Sequence, residues 1–402
     1  MWYAGIDWAD THHDAVVIDE AGRQADALRV MHTKEGLAEL TSFLLARAKT
    51  PDQMACIVET NQGLLIAALL EAGFTVYPVN PKTVDRRRSA SGAKTDAIDA
   101  YLLAKTGRAD LVDLRPLKPD SPLVQELKVL TRDQDALIQS RTRLVNQLTA
   151  CLKAYYPVAL QLFAKLQQRS TLVFLQTYPT PQAAQAASVA EIEATLRKGH
   201  HSNPTKIAQQ IFARVHQPQL IADTITTRTK ARLMLALVSQ LLPLIEQIAT
   251  YDKEIKRLFL THADNAVFRS LPGAGKRLAP RLLAEWGDDR TRYTGSNSVQ
   301  ALAGTAPVAF QSGNYAKAHK RYACLKPLRN ALYQFAWQST KQEAWALAYY
   351  RRKRAEGKSH SVAVRALANV WVRIIYAMWL THACYETATF EAAQRAHAHE
   401  AA

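Results

Sequence analysis

Residues 2–19 read WYAGIDWADTHHDAVVID, and the fold follows from this stretch. WYAGID and DAVVID are two short runs of strand character, rich in β-branched and aromatic residues, and each stops on an aspartate. After the Ala21-Gly22 turn, ALRVMHT (27–33) is a third strand. KEGLAELTSFLLARA (34–48) then has a helical apolar period, and QMACIVET (53–60) is a buried strand. QGLLIAALLEAG (62–73) is a helix closed by Gly73, FTVYPVN (74–80) a strand, and TDAIDAYLLAKTG (95–107) a helix closed by Gly107. The order β-β-β-α-β-α-β-α implies a mixed sheet covered by helices.

That order is the RNase H-like one, in which the first and fourth strands are neighbours. Asp7 ends the first strand and Glu59 the fourth, so the two carboxylates are expected side by side. Asp96 and Asp99 open the last helix three residues apart, hence on one face that can turn toward the same edge. A single aspartate at a strand end is ordinarily a turn or cap residue. Four converging carboxylates repel one another unless cations lie between them, and hard divalent ions suit oxygen ligands, Mg²⁺ first and Mn²⁺ next. Two such ions about 4 Å apart would activate an attacking oxygen and stabilise a leaving one in phosphodiester cleavage. Asp10 and Asp14, in the first hairpin, are expected to face solvent. His12-His13 and His200-His201 are expected at the surface or in turns, because neighbours in a strand point to opposite faces. Arg86-Arg87-Arg88 and Lys94 precede the aspartate pair, either as contacts to a nucleic-acid backbone or as an exposed loop.

Strand patterns stop near Leu111. Pro116, Pro119 and Pro122 mark a linker, and a long helix follows to Tyr155, with leucines at 127, 130, 137, 144, 148 and 152. These spacings suit a coiled-coil seam or a helix packed on its own domain. A second long helix is expected over Thr224–Thr261. The chain therefore divides into an α/β domain at 1–110, a helical arm or dimerisation region at 111–264, a mostly α unit at 265–386 and a disordered tail at 387–402.

The 402 residues are 48% hydrophobic and carry a net charge of +16, which fits a globular protein. The charge is unevenly placed. Residues 1–110 hold 12 Lys and Arg against 15 Asp and Glu, whereas residues 315–376 hold 13 against 2. A basic C-terminal third interleaved with Tyr333, Trp337, Trp345, Tyr349 and Tyr350 points to a nucleic-acid partner. No uninterrupted apolar run reaches membrane-spanning length, and WYAGID lacks the features of a signal peptide. Cys56, Cys151, Cys324 and Cys384 are scattered, without metal-ribbon spacing, as expected of a reducing cytoplasm.

LPGAGKRLAPRLLAEWG (271–287) has the pattern of a helix-hairpin-helix. Gly273 and Gly275 would let backbone N–H groups approach a phosphate beside Lys276. Arg277 follows Lys276 where a P-loop needs Ser or Thr, which excludes that motif. Ser296 and Ser298 precede the apolar VQALAG and read as a helix N-cap. Ser312, before Gly313, reads by itself as a turn serine.

GIDWADTHHDAVVID, IVETNQG and GAKTDAIDA, followed by LPGAGKRLAPRLLAEWGD, ALAGTAPVAFQSG and LRNALYQFAW, resemble the insertion-sequence one-ten class of transposases over nearly the whole chain. The resemblance implies a RuvC-like domain whose DEDD set falls on Asp7, Glu59, Asp96 and Asp99. It also implies a nucleophilic serine at Ser312 that forms a covalent phosphoserine link to DNA while the carboxylates supply metal. A bridge RNA that guides site choice and a homo-oligomer, dimer or tetramer, come from the resemblance as well. This sequence has Asn314 where the family commonly has a second glycine, and Leu325-Lys326-Pro327 near a missing Lys-Arg-Gly. Individual phosphate contacts by Lys320, Arg321 and Arg329 therefore rest on the basic stretch alone. Two other readings compete: a RuvC-type junction nuclease acting with water, and a non-catalytic nucleic-acid-binding protein.

Overall fold

The computed structural model describes residues 1–85, 94–313 and 315–392, which form two compact units, Met1–Pro119 and Asp120–Ala402. The first is built on strands β1 (Trp2–Trp8), β2 (His12–Ile18), β3 (Gln24–Met31), β4 (Met54–Val58) and β5 (Thr75–Pro78). Helix α1 (Lys34–Arg47) precedes β4, and α2 (Leu64–Glu71) precedes β5. Helices α3 (Pro81–Asp85) and α4 (Asp96–Asp110) follow. The sheet order is β3-β2-β1-β4-β5, with β1 antiparallel to β2 and parallel to β4, the RNase H-like arrangement expected from the sequence.

Alternation along the strands sorts the two faces. Ala4, Ile6, Ala15, Val17, Cys56 and Val58 pack with Leu40, Leu44 and Leu69 of α1 and α2. The opposite face receives α4, whose Ala100 and Ala104 pack with Val16 and Ile18. Two glycines make that close approach possible. A Cβ on Gly5 would lie 1.9 Å from the Ala100 carbonyl oxygen, and one on Gly107 would lie 2.2 Å from Ile57 Cδ1. Gly107 thus does not end the helix, as its residue type led us to expect; α4 continues to Asp110, and the glycine marks where it meets β4. Gly73, by contrast, does stop α2, at φ +85°.

In the second unit, α5 (Pro122–Tyr155) is followed by five short helices: α6 (Ala159–Leu162), α7 (Arg169–Thr177), α8 (Pro181–Gln185), α9 (Val189–Lys198) and α10 (Pro204–Val215). Then come α11 (Thr224–Thr261), α12 (Asn265–Arg269), α13 (Gly275–Trp286) and α14 (Ser296–Leu302). A hairpin of β6 (Val308–Ser312) and β7 (Tyr315–His319) precedes α15 (Lys326–Ser339), α16 (Ala344–Ala355) and α17 (His360–Thr381). Helices α5 and α11 run antiparallel and join two cores. At one end Leu148 and Leu152 meet Met234, Val238 and the short helices. At the other, Leu127 meets Ile255, Leu258 and Phe259, in a core that contains Trp286, Phe335, Trp371 and Trp379. Ion pairs reinforce the second end: Arg132–Glu285 at 2.7 Å, Arg281–Asp135 at 2.8 Å and Arg277–Asp252 at 2.7 Å.

Several expectations change. The middle and C-terminal segments, expected to be separate, form one compact unit because α5 and α11 each serve both cores. The leucine seam of α5 is used inside the chain. The last region is mostly helical, as expected, with the β6–β7 hairpin set into it. Residues 387–392, expected to begin a disordered tail, are helical, and Phe390 lies 4.3 Å from Trp345, ring to ring. Two helices, α11 and α17, are long and apolar enough to cross a membrane by length and composition. Charged and polar residues punctuate both, so neither holds an uninterrupted apolar run of that length. Each supplies residues to the cores described above.

Candidate active site

Asp7 lies one residue beyond the Ile6–Val58 pair that joins β1 to β4, and Glu59 is the residue after Val58. By alternation, Gly5 and Asp7 lie on the face that α4 covers, as do Ile57 and Glu59. The Thr95 side chain caps α4 by accepting from Ile98 N, so Asp96 and Asp99 occupy its first turn. The contact at Gly5 brings that turn down onto the end of β1. All four expected carboxylates therefore meet at one end of the sheet.

Their mutual repulsion is visible in Asp7. Burial, then the charges of Asp99, Asp96, Glu59 and Asp14, push its carboxyl up from an ordinary 3.8 to about 6. Asp99 is buried, whereas Asp96 is half-exposed. A site made of carboxylates, one of which burial and its neighbours' charges make harder to ionise, fits a hard divalent cation, which would cancel that repulsion.

Asp14 and His12, both expected at the surface, lie here too, together with Arg29. Asp14, expected to face solvent, is 7% exposed and sits directly opposite Asp7 in the β1–β2 ladder. Arg29 on β3 grips it, with Nε donating at 3.0 and 3.1 Å and Nη2 at 2.9 Å. His12, expected at the surface, is half-buried: its Nε2 lies 3.1 Å from Asp96 Oδ2 and 3.8 Å from Asp14 Oδ2, while Nδ1 meets Thr11 Oγ1 at 3.1 Å. The ligand atoms of His12, Asp14 and Asp96 fall within 4.8 Å of one another, a second geometry able to hold a metal. His13 points the other way, as alternation requires, but into the interior, where it meets His32 at 2.8 Å. The signal was present in the sequence: the short β1–β2 connection sets Asp14 opposite Asp7, and i, i+2 spacing puts His12 on the same face. Asp10 is exposed, as expected.

The remaining candidates spread over both units. Arg86, Arg87 and Arg88 lie outside the described residues, and Lys94 is exposed just before the α4 cap. Gly273 has φ +80°, and a Cβ there would lie 2.9 Å from the Gln338 carbonyl oxygen, so its first duty is packing. Gly275, at φ +58°, opens α13 with nothing within 4 Å, next to the exposed Lys276. Ser296 and Ser298 fall inside the first turn of α14, and the cap is Gly295, whose extended backbone carries no competing side chain.

Ser312 ends β6, paired with Tyr315 at the start of β7, and every described residue of the hairpin is exposed. Lys320 is exposed, Arg321 is partly buried, and Arg329 Nη1 donates to Cys324 Sγ at 3.4 Å. The five aromatics read as nucleic-acid contacts, Tyr333, Trp337, Trp345, Tyr349 and Tyr350, instead pack against the C-terminal core. The hairpin itself escaped the sequence reading, although Gly-Asn between the alternating runs VAFQS and YAKAH is a hairpin signal.

Comparison with known proteins bears on both units. A family model named for the DEDD transposase of IS110 matches residues 4–157, and one described as "Transposase IS116/IS110/IS902 family" matches residues 265–351. The "Mini-circle putative transposase for IS117" of Streptomyces coelicolor is 32% identical over 98% of this chain and 96% of its own length. The "Insertion element IS116 uncharacterized 44.8 kDa protein" of Streptomyces clavuligerus is 30% identical over 94% of each. Among solved structures, "T. thermophilus RuvC in complex with Holliday junction substrate" aligns with 29% of this chain and 99% of that one, at 21% identity and a TM-score of 0.23. The RNase H-like assignment stands on strand order and register, not on that alignment.

Proposed function

The chain belongs to the IS110 class of insertion-sequence transposases, and from that premise we propose that it cuts and rejoins DNA through a covalent phosphoserine at Ser312. In the same proposal Asp7, Glu59, Asp96 and Asp99 hold divalent metal, Mg²⁺ with Mn²⁺ as a substitute. The observation that carries the reading is the meeting of these carboxylates at one sheet end, where Asp7 is pushed up to about 6. When bound, the metal would supply positive charge to the reacting phosphate. Asp7 and Glu59 are fixed by adjacent parallel strands, and Asp96 and Asp99 by a capped first turn, so the ligands are preorganised. Arg29 and the Thr11-held His12 keep Asp14 and Asp96 in place beside them.

At Ser312 the Oγ would attack a DNA phosphorus, forming a Ser–O–P bond as the phosphodiester P–O bond breaks and the departing strand end takes a proton. A second strand end then attacks the phosphoserine, restoring the serine and one phosphodiester. One bond forms for each that breaks, so rejoining needs no nucleotide triphosphate. The exposed hairpin leaves the hydroxyl accessible to a strand from solvent. Lys94, Lys276, Lys320, Arg321 and Arg329, with the arginines at 86–88, are the proposed backbone contacts, and Gly273-Ala274-Gly275 the proposed phosphate turn of a helix-hairpin-helix. Family membership also supports a structured bridge RNA as second nucleic-acid partner, a homo-oligomer and action in the cytoplasm.

The test is cleavage of labelled element-end DNA with Mg²⁺ by wild-type protein and by Asp99→Asn, which keeps size but removes charge. Cleavage falls to background in the variant, and in wild type with EDTA. Wild-type rates under either condition would overturn the metal reading.

A further inference from the structure

The β6–β7 register sorts the ribbon into two unlike faces. Cross-strand pairs Ser312–Tyr315, Phe310–Lys317 and Val308–His319 alternate with Gln311–Ala316 and Ala309–Ala318. By the two-residue period, Val308, Phe310, Ser312, Tyr315, Lys317 and His319 share one face, and the other carries only alanines and a glutamine. In a water-facing ribbon the large apolar side chains would ordinarily cover a core. Here they do not: Phe310 is 59% and Tyr315 45% exposed. They contact each other instead, Phe310 meeting Tyr315 edge-on at 6.4 Å and His319 at 5.7 Å, with Lys317 Nζ 5.3 Å from the Tyr315 ring. The ribbon lies in the fifty residues from Tyr293 to Gln342, which contain six Lys or Arg and no Asp or Glu. Exposed aromatic rings with a lysine among them, in a stretch of sequence without acids, complement a chain of phosphates that offers bare base faces.

We propose that this face of the β6–β7 ribbon binds single-stranded DNA, with Phe310 and Tyr315 stacking on unpaired bases and Lys317 meeting the backbone. The proposal rests on the reading of the chain as a DNA strand-transfer enzyme, because it supplies the ribbon with an unpaired strand at Ser312. It goes further in naming what holds that strand. Stacking tolerates any base, so the ribbon grips strands without regard to sequence. Duplex DNA, whose base faces are covered, offers it only phosphates.

The test uses full-length protein in EDTA, which prevents cleavage, and a fluorescent oligo-dT strand followed by anisotropy over a range of salt. Phe310→Ala and Tyr315→Ala each weaken binding about tenfold at unchanged salt slope, as loss of one stacked base requires. Lys317→Gln lowers the slope by about 0.7, one phosphate contact on a single strand. Ala318→Gln, which adds bulk to the opposite face, binds as wild type. The proposal is overturned if both aromatic variants bind within twofold of wild type, or if Ala318→Gln weakens binding as much as they do. Unchanged binding together with a smaller sedimenting species for Phe310→Ala would also overturn it, by giving the face to a second copy of the chain. Binding is read here without cleavage, so failure of the serine chemistry and failure of the ribbon show in separate assays.

Discussion

Burial, and then the charges of four other carboxylates, make Asp7 harder to ionise. A carboxyl held up near 6 in the folded chain and near 3.8 in the unfolded one favours folding while it keeps its proton. That contribution is complete below the unfolded value and is lost as pH rises through about 6. Without metal at pH 7.5 the ionised group is therefore a liability. Asp7→Asn should raise the melting temperature in EDTA, by an amount worth about 1 kcal/mol once solvent at this half-exposed group is allowed for. The gain should shrink at pH 5, and equal melting temperatures at pH 7.5 would show that the repulsion is not felt. Divalent affinity measured by calorimetry should weaken below pH about 6, because metal and proton compete for Asp7. That Asp7, Glu59, Asp96 and Asp99 would meet at one sheet end was legible from residue type and element. The roles of Asp14, His12 and Arg29 were not read, because they depend on cross-strand register, and a one-residue slip would turn each to the other face.

At the scale of the element, the site depends on how closely α4 lies on β1. Gly5→Val would put side-chain atoms where the Ala100 carbonyl stands, forcing the helix away from the sheet. The expected loss is about 3 kcal/mol, read from thermal melts, together with loss of divalent binding. A Gly5→Val chain that binds metal normally would mean α4 need not sit so close. Strand order and both long helices were legible, because period and caps are local properties. The two glycines of this interface were not: Gly107 carries a stop signal in sequence, and only the sheet beneath it shows that it serves packing instead. The β6–β7 ribbon shows the converse. Its turn chemistry was local, but lay within a stretch whose charge drew attention to helices.

Across the whole molecule, α5 and α11 bind the middle and C-terminal regions into one unit, so removing residues from Tyr315 onward would also remove α15–α17 and their core. Point changes separate charge from stability. Lys320→Gln with Arg351→Gln, both at exposed positions, should leave melting unchanged and flatten the salt dependence of duplex binding by about one for each phosphate no longer neutralised. An unmoved slope would transfer the main DNA surface elsewhere. Net charge was legible in the sequence, whereas its partition was not: Arg132, Arg277 and Arg281 count toward the total and are engaged by Glu285, Asp252 and Asp135.

If DNA passes through a bond to Ser312, that bond survives denaturation of the protein. Wild-type protein and Ser312→Ala are incubated with labelled element-end DNA and Mg²⁺, denatured, and resolved for DNA that migrates with protein. Removing one exposed oxygen should leave folding and strand binding intact. Wild type should give an adduct that maps by mass spectrometry to Ser312, and the variant neither adduct nor strand exchange. Recombination by Ser312→Ala, or an adduct on any other residue, would contradict it.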